Sequence, residues 1–242
     1  SGYGETGPYS EMKAYDLLVQ CEAGLAAITG SPEQPGRVGV SVCDIACGMY
    51  AHTAILQALY ERERSGIGKG LSVSLFDAVA DWMTVPLLHF EHGGQDTGRF
   101  GLSHASIYPY RPFECQGGSV IIAVQTQDEW RRFCTGVLDA PDLCAHPDFA
   151  TNPLRVSNRH ALDAMMEPIM SAMTLSDVSA CCEAAGIAWA KYRDLAGLAA
   201  HPALRRSGVA LPGGHSVDLP RPAGRSADFT PGAVPALGEH TR

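Results

Sequence analysis

The chain has 242 residues, of which 45% are hydrophobic and 18% are charged. This balance is typical of a folded globular protein with one large or two modest domains, and it excludes a disordered chain. The formal net charge of −8 gives no reason to expect a nucleic-acid partner.

Apolar residues in the first 92 positions follow the spacing of helices and of extended segments. Helices are predicted over 12–27, 44–64 and 77–92. Extended segments are predicted over 37–42 and 71–75. Pro86 should kink or break the third helix because proline lacks a backbone N–H. The glycines at 66, 68 and 70 follow a helix rather than open one, so no dinucleotide-binding loop is predicted.

A glycine-rich stretch over 93–98 marks a boundary along the chain. Beyond it the pattern predicts a small antiparallel sheet, with strands over 107–113 and 119–124. Helices are predicted from Asp128 and over 159–172, 174–185 and 192–200. Thr174, with Asp177 three residues later, indicates a helix cap. The segment from Gly208 is rich in glycine and proline and contains one predicted strand, over 217–219.

The eight cysteines favour a reduced, cytoplasmic protein. Most of them lie within apolar helical or strand patterns, where a free thiol packs as a small hydrophobic group, and no Cys-x-x-Cys occurs. His89 and His92 lie one helical turn apart, but they lack a third ligand, so no metal site is predicted. No apolar run reaches about 18 residues, and the first residues do not resemble a signal peptide. A membrane partner is therefore not expected.

The sequence is organised around the stretch from Val38 to Met49. An alternating apolar run leads to Asp44, and a long helical pattern follows it. A carboxylate at a helix N-terminus is held by free backbone N–H groups and is favoured by the helix dipole. Asp44 is thus expected to be a helix N-cap. The same arrangement keeps a carboxylate ionised and oriented, as a nucleophile requires, so the two roles are compatible.

Short segments recur around Asp44 in a distinctive order. They are Ser1-Gly-Tyr-Gly-Glu-Thr-Gly-Pro-Tyr9, Lys13-Ala-Tyr-Asp-Leu-Leu-Val-Gln20, Thr29-Gly30, Arg37-Val-Gly-Val40, Gly48-Met49, Ser65-Gly-Ile-Gly68 and Val73-Ser-Leu-Phe-Asp77. This order resembles the class III coenzyme A transferases, the family of formyl-CoA and carnitine CoA-transferases. The resemblance covers most of residues 1–95.

The resemblance implies an α/β fold, with part of a doubly wound large domain followed by a smaller α+β domain. It divides the chain into a large-domain portion over 1–98, a small domain over 99–190 and a segment over 191–242 that returns toward the large domain. Family members are interlocked, ring-like homodimers. They carry roughly a hundred further residues before the position of Ser1, about half of a doubly wound sheet.

The resemblance also implies the chemistry of the site. Asp44 would attack an acyl-CoA and form a covalent aspartyl intermediate, so no permanent cofactor is expected beyond coenzyme A or acyl-CoA as substrate. Lys13, Ala14, Tyr15 and Asp16 match a CoA-contacting segment, with Lys13 set to pair with a phosphate and Asp16 to orient the pantetheine or support Asp44.

Some family members place a glycine-rich loop where an oxyanion develops, and this chain instead has Phe100-Gly-Leu-Ser-His-Ala-Ser106. Ser103 and His104 are the candidate donors there, with a plain surface loop as the alternative. The segments around Asp44 look most like those of members that act on short dicarboxylic acids. A second carboxylate needs a cationic partner, and Arg37 and Arg99 are the candidates unless both are surface arginines.

Two other functions compete with CoA transfer. An α-methylacyl-CoA racemase shares the fold but needs a base on each side of the α-carbon. Its histidine position falls at Tyr15, whose phenol is a poor base near neutral pH, which favours transfer. The third alternative is a non-catalytic, truncated subunit.

Overall fold

The structure is a computed structural model that describes residues 1–94, 96, 98–226 and 228–241. The helices of these residues are α1 (Asp16–Glu22), α2 (Leu25–Ile28), α3 (Val42–Ser65), α4 (Leu75–Trp82), α5 (Thr84–Gly93), α6 (Gln127–Gly136), α7 (Pro141–Ala145), α8 (Asn152–Ser157), α9 (Arg159–Ala172), α10 (Leu175–Ala185) and α11 (Leu195–Ala199). The strands are β1 (Tyr110–Cys115), β2 (Gly118–Ala123), β3 (Ala188–Lys191), β4 (Arg206–Ala210) and β5 (Ser216–Pro220). The chain divides into two units, one over 1–190 and one that begins at Lys191.

Helix α3 is the longest element, with 24 residues, and it confirms the helix predicted over 44–64. It ends at Gly66, which adopts φ +71° and donates its N–H to the carbonyl of Arg62. Glycine takes this left-handed conformation without a steric penalty. Helix α3 packs against α1 and α4, and Val19, Cys43 and Val79 form the buried centre of that contact.

The predicted helix over 77–92 is divided into α4 and α5 at Met83. Pro86 is the third residue of α5, in the first turn, where helix N–H groups have no intrahelical partner. Its missing N–H therefore costs little, and the predicted break is confirmed. Ser74 caps α4 by accepting a hydrogen bond from the Asp77 N–H.

The extended segments predicted over 37–42 and 71–75 do not form strands in the described part of the chain. Residues 71–74 have no strand partner there, and part of this segment bonds to the beginning of the chain instead. Val73 accepts a hydrogen bond from the Ser1 amino group, and the N–H of Leu75 bonds to the Ser1 carbonyl. Apolar alternation indicates a strand only where a neighbouring strand completes the ladder.

The α+β region that follows Gly98 contains a three-stranded sheet in the order β1-β2-β3. Strands β1 and β2 are antiparallel, with Phe113 opposite Val120, close to the predicted strands. This sheet and helices α6–α10 enclose a core of 18 buried residues. They are Tyr108, Phe113, Val120, Ile122, Val124, Trp130, Phe133, Cys134, Val137, Leu138, Leu143, Phe149, Leu162, Met166, Met170, Val178, Cys182 and Ile187.

The helix ends in this region follow the expected local chemistry. Thr126 and Glu129 form a reciprocal capping box at the start of α6. Thr174 caps α10 and hydrogen-bonds Asp177, as predicted. Arg155 is 1% exposed, lies 4.8 Å from the centre of the Trp130 ring and donates to the carbonyls of Tyr108 and Phe149. These contacts join α8 to the segment that precedes β1, to the turn that precedes α8 and to α6.

The unit that begins at Lys191 contains α11 and an antiparallel hairpin of β4 and β5, with Val209 opposite Val217. The strand predicted over 217–219 lies within β5, while β4 was not predicted. The predicted boundary between 98 and 99 falls inside the first unit, and the three-part division of the chain stays a prediction.

Helix α3 is unusually exposed for an apolar helix. One 18-residue window has a mean hydropathy of 1.2, and 11% of that window is buried. By length and composition alone, α3 is therefore the one helix in the described residues that could cross a membrane, contrary to the sequence expectation. A single such helix is weak evidence, because helices that pack against other protein segments have the same composition. Exposed residues include Ile45, Met49, Leu56 and Tyr60.

Candidate active site

Asp44 lies in the first turn of α3, as its third residue. The prediction that it is the N-cap is wrong, because Ser41 occupies that position and makes no side-chain cap. The Asp44 side chain is exposed and has no hydrogen bond or ion pair within the described residues. A carboxylate in the first turn is favoured by the helix dipole. Asp44 is therefore an accessible carboxylate, and its oxygens make no hydrogen bond within the described residues.

The cap of α3 comes from another helix. Asp16, the first residue of α1, accepts a hydrogen bond from the Cys43 N–H at 2.8 Å through Oδ1. The Cys43 thiol also lies 3.4 Å from the Asp16 carbonyl, which it can donate to. Asp16 is 9% exposed and Cys43 is fully buried. An ionised acceptor makes a stronger hydrogen bond than a neutral one, so Asp16 fixes the N–H next to Asp44 in the chain.

The second oxygen of Asp16 is held by Gln20, which is fully buried. The Gln20 Nε2 donates to Asp16 Oδ2 at 2.7 Å, and Gln20 Oε1 accepts from the Val38 N–H at 2.9 Å. Arg37 Nη2 lies 3.8 Å from Asp16 Oδ2, and its side chain is about half exposed (48%). One side chain of α1 therefore connects the Asp16 carboxylate to the segment that leads into α3.

Burial changes the chemistry of the cysteine in this network. Desolvation is the main cause that raises the pKa of Cys43 to about 12, and the nearby Asp16 carboxylate adds to it. Cys43 is consequently a neutral thiol at neutral pH. At the α3 N-terminus, Asp44 thus presents an accessible carboxylate, whereas the Cys43 thiol is buried.

The other residues of the predicted CoA-contacting segment lie beside Asp16. Tyr15 occupies the N-cap position of α1 and is 71% exposed, and Lys13 is exposed. Ala14 packs against the small core around Val19 and contacts Gly2, where an added Cβ would lie 2.4 Å from the Ala14 Cβ. Lys13 and Tyr15 thus present their side chains to solvent next to the carboxylate that caps α3.

A tight loop precedes Arg37. Gly30 adopts φ +112°, and a Cβ there would lie 2.3 Å from the Gln34 carbonyl oxygen, so only glycine fits. Arg99 anchors this loop by donating to the carbonyls of Ala27, Ser31 and Pro32 at 2.9–3.1 Å. These three bonds take up much of its guanidinium, and a role of Arg99 in substrate binding stays a prediction.

His104 is held firmly in its loop. Its Nδ1 accepts the N–H groups of Ser106 and Ile107, both at 3.1 Å, and its ring stacks on Tyr110 with centroids 5.4 Å apart. Since Nδ1 is an acceptor, a neutral His104 carries its proton on Nε2. Ser103 is half-buried, and its N–H bonds to the Phe100 carbonyl. Neither residue is shown to approach Asp44, so their predicted donor role is untested.

The sequence reasoning missed Gln20. Its spacing from Asp16, four residues along a helix, is the signal that was present, because such pairs face each other on one helix face. The partner N–H groups at Val38 and Cys43 could not be read from the sequence. Within the described residues, no group of three histidine, cysteine or acidic side chains is arranged to hold a metal ion.

A family model described as CoA-transferase family III matches residues 1–241. The chain belongs to this family.

Curated relatives agree with that assignment. An acyl-CoA transferase of Fusarium pseudograminearum is 32% identical and covers all of this chain, which spans 55% of the relative. Human succinyl-CoA:glutarate CoA-transferase is 28% identical over the whole chain, which spans 57% of it. An acetyl-CoA:oxalate CoA-transferase of Acetobacter aceti is 31% identical over 88% of the chain, which spans 57% of that relative. The chain thus spans little more than half the length of the curated relatives it matches.

Solved structures have the same fold. A CaiB/BaiF family protein from Brucella suis is 32% identical, with a TM-score of 0.70 over 84% of this chain and 53% of its own. A protein from Mycobacterium tuberculosis is 22% identical, with a TM-score of 0.83 over 99% of this chain and 64% of its own. The second similarity concerns the fold alone, and the mixed α/β character of the chain is confirmed.

Proposed function

We propose that the chain carries the nucleophile of a CoA-transferase that moves CoA from an acyl-CoA to a small dicarboxylic acid. One observation carries the proposal. Asp44 is exposed and its carboxylate makes no hydrogen bond within the described residues, while the N–H of the preceding residue, Cys43, is fixed by Asp16 of another helix. Family membership and the names of relatives that act on succinate, glutarate, oxalate and mesaconate support the reaction and the substrate class.

The reaction follows from carboxylate chemistry. An Asp44 oxygen attacks the acyl carbonyl and the C–S bond breaks. CoA leaves as a thiolate, and the acyl group and Asp44 are left joined as a mixed anhydride. The thiolate attacks the aspartyl carbonyl and releases the donor acid, which leaves an aspartyl thioester. The acceptor carboxylate then attacks this thioester and expels the thiolate. The thiolate finally attacks the acceptor carbonyl of the new anhydride and frees Asp44.

The residues next to Asp44 have distinct tasks in this proposal. Lys13 pairs with a CoA phosphate, as an exposed ammonium can, and Tyr15 and Ala14 contact the pantetheine arm. Asp16 holds the α3 N-terminus while charge moves on and off the Asp44 carboxylate. Arg37, half exposed and only 3.8 Å from Asp16, is the available cation for the second carboxylate of the acceptor.

The large domain of the complete protein is, in this proposal, a doubly wound sheet, and the assembly is an interlocked homodimer in the cytoplasm. The exposed apolar side chains of α3 support further protein contacts at this helix, because apolar surface of this kind marks contacts with other protein segments. Sedimentation of the complete protein should give a stable dimer. A stable, active monomer would contradict the dimer without affecting the reaction.

The direct test is a transfer assay on the complete protein with succinyl-CoA as donor and a panel of mono- and dicarboxylic acceptors. Turnover should be highest with dicarboxylates and should fall at least a thousandfold in Asp44→Asn, whose amide cannot form the covalent intermediate. Asp142→Asn is the matched control, an exposed aspartate in the first turn of α7. Wild-type turnover in Asp44→Asn would refute the proposal.

The alternative activity, racemisation, can be tested on the same preparation of the complete protein. A racemase exchanges the α-proton of a 2-methylacyl-CoA with deuterium oxide, and a transferase does not need to. Tyr15 occupies the position where the second base would stand, and it is a solvent-exposed phenol. We expect no α-deuterium in recovered acyl-CoA. Rapid exchange without CoA transfer would replace the proposed reaction by racemisation, and the absence of both would favour a non-catalytic subunit.

A further inference from the structure

A cavity of about 430 Å³ lies between α5 and the loop that precedes β1. One side is formed by Val85, Pro86 and His89 of α5, and the other by His104 and Arg159. None of these residues contributes to the Asp16, Gln20 and Cys43 network at the start of α3. The cavity has the size of a small-molecule site, and two of its polar side chains, His104 and Arg159, are held in place by hydrogen bonds.

Arg159 is clamped in one orientation. Its Nε donates to the Val156 carbonyl at 3.2 Å and its Nη2 to the Ala105 carbonyl at 3.0 Å. The guanidinium carbon lies 4.6 Å from the centre of the Phe100 ring and 5.2 Å from that of Tyr108. Nη1 makes no hydrogen bond within the described residues. A charged donor is therefore left over at the cavity wall, and no carboxylate of the described residues forms an ion pair with it.

His104 supplies a second fixed donor. The ring contacts with Ser106 and Ile107 are all made by Nδ1, and the ring is stacked on Tyr110, so Nε2 is the ring nitrogen that is left for a ligand. In the neutral ring that nitrogen carries the proton. His89 is exposed on the α5 side of the same cavity. Donors that are already held in place bind an anion without a further loss of side-chain entropy.

The remaining wall restricts the rest of the ligand. Val85, Pro86, Phe100 and Val156 give it an apolar part. Among the described lining residues, Asp96 is the one carboxylate; it accepts a hydrogen bond from the Gly98 N–H at 3.2 Å and also lines a neighbouring apolar groove. A short hydrocarbon chain with a carboxylate at one end matches this distribution, with the carboxylate on the Arg159 and His104 side.

We propose that this cavity binds a carboxylate of a small organic acid, with Arg159 Nη1 and His104 Nε2 as the donors. It is distinct from the acceptor position assigned above to Arg37. The two assignments predict that different substitutions, at Arg159 or at Arg37, weaken the binding of glutarate. Neither assignment depends on whether Asp44 forms a covalent intermediate.

Glutarate titrated into the intact protein, followed by ¹H–¹⁵N spectra of the histidine rings, tests the proposal. Saturable shifts of the His104 ring are expected with glutarate but not with pentanediamide, its uncharged analogue. Arg159→Met should weaken glutarate binding at least tenfold. Arg131→Met is the matched control, since Arg131 is exposed, pairs with Asp128 and does not line the cavity. It should bind as the wild type does.

A second pair of variants keeps the test decisive if Arg159→Met does not fold. Val85 is 61% exposed on α5, so Val85→Glu and Val85→Gln should both fold, and only the first adds a negative charge at the cavity. Glutarate affinity should fall several-fold more in the glutamate variant. The proposal is overturned if binding is unchanged in both Arg159→Met and Val85→Glu, or if it is lost in Arg37→Met and kept in Arg159→Met.

Discussion

The two parts of the first unit, residues 1–94 and the α+β region after Gly98, are stabilised in different ways. The α+β region has a core of 18 buried residues, whereas the buried centre around α3 consists of three. Near α3 the segments are joined by single polar contacts between residues far apart in the chain, such as Asp16 with Cys43 and Gln20 with Val38. Packing fixes one region, and hydrogen bonds to a buried carboxylate orient the other.

The largest effect is expected in the α+β core. Phe133 is fully buried in that core, so Phe133→Ala should lower the free energy of unfolding by about 3–5 kcal/mol. Phe90 on α5 is 65% exposed, so Phe90→Ala should change the free energy of unfolding by no more than about 0.5 kcal/mol. Urea denaturation of the two variants measures both. Equal losses would mean that the exposed face of α5 is covered in solution.

The next effect concerns the cap of α3. Asp16→Ala leaves the Cys43 N–H and the Gln20 amide without their acceptor in a buried position, which should cost about 1–3 kcal/mol. Thr126→Ala removes a local cap in the other region and should cost about 1 kcal/mol. Amide hydrogen exchange separates them, because Asp16→Ala should deprotect residues 38–45 selectively. Unchanged protection there would contradict a cap supplied by Asp16.

A smaller effect should appear in the coupling between Asp16 and Gln20. Gln20→Leu keeps the volume but removes both hydrogen bonds that the buried amide makes. The double variant with Asp16→Ala should be more stable than the sum of the single losses predicts, by about 0.5–3 kcal/mol, because the two side chains share one bond. Strict additivity of the four unfolding free energies would show that the two residues act separately.

The smallest effect on stability at pH 8, below the unfolded pKa of a thiol, is expected from thiol ionisation. Burial raises the pKa values of Cys43, Cys134 and Cys182 to about 12, while Cys21 is exposed. A thiol whose pKa is raised in the folded state contributes stability that is fully present below the unfolded pKa, near 9. This contribution is lost as the pH rises from 9 to 12. At pH 8, iodoacetamide should modify Cys21 and spare the three buried thiols. Early labelling of Cys43 would show that the α3 N-terminus opens readily.

The sequence predicted the α+β region better than the surroundings of Asp44. Helix α9 begins and ends where the periodicity placed it, and Thr174 caps α10 through Asp177 as expected. Such features depend on neighbours within a few residues. The cap of α3 depends on a carboxylate 28 residues upstream of Asp44, and no local pattern reports a contact of that kind.

The predicted strands near Asp44 failed for a related reason. Alternation over 71–75 records which side chains prefer burial, but a strand also needs a partner that supplies hydrogen bonds. Asp44 was predicted to be the N-cap and lies three residues after it, so the start of α3 was predicted only approximately, from the local change from alternating to helical spacing. The resemblance of short segments to a known family supplied the chemistry that spacing could not.

The central claim is that the Asp44 carboxylate forms covalent bonds during turnover, first to the acyl group and then to CoA. The complete protein is incubated with succinyl-CoA, quenched with hydroxylamine and digested for peptide mass spectrometry. A thioester on Asp44 should leave a hydroxamate at that residue, absent from Asp44→Asn and from enzyme without acyl-CoA. A hydroxamate on Asp16, or full CoA transfer by Asp44→Asn without any modified aspartate, would contradict the account.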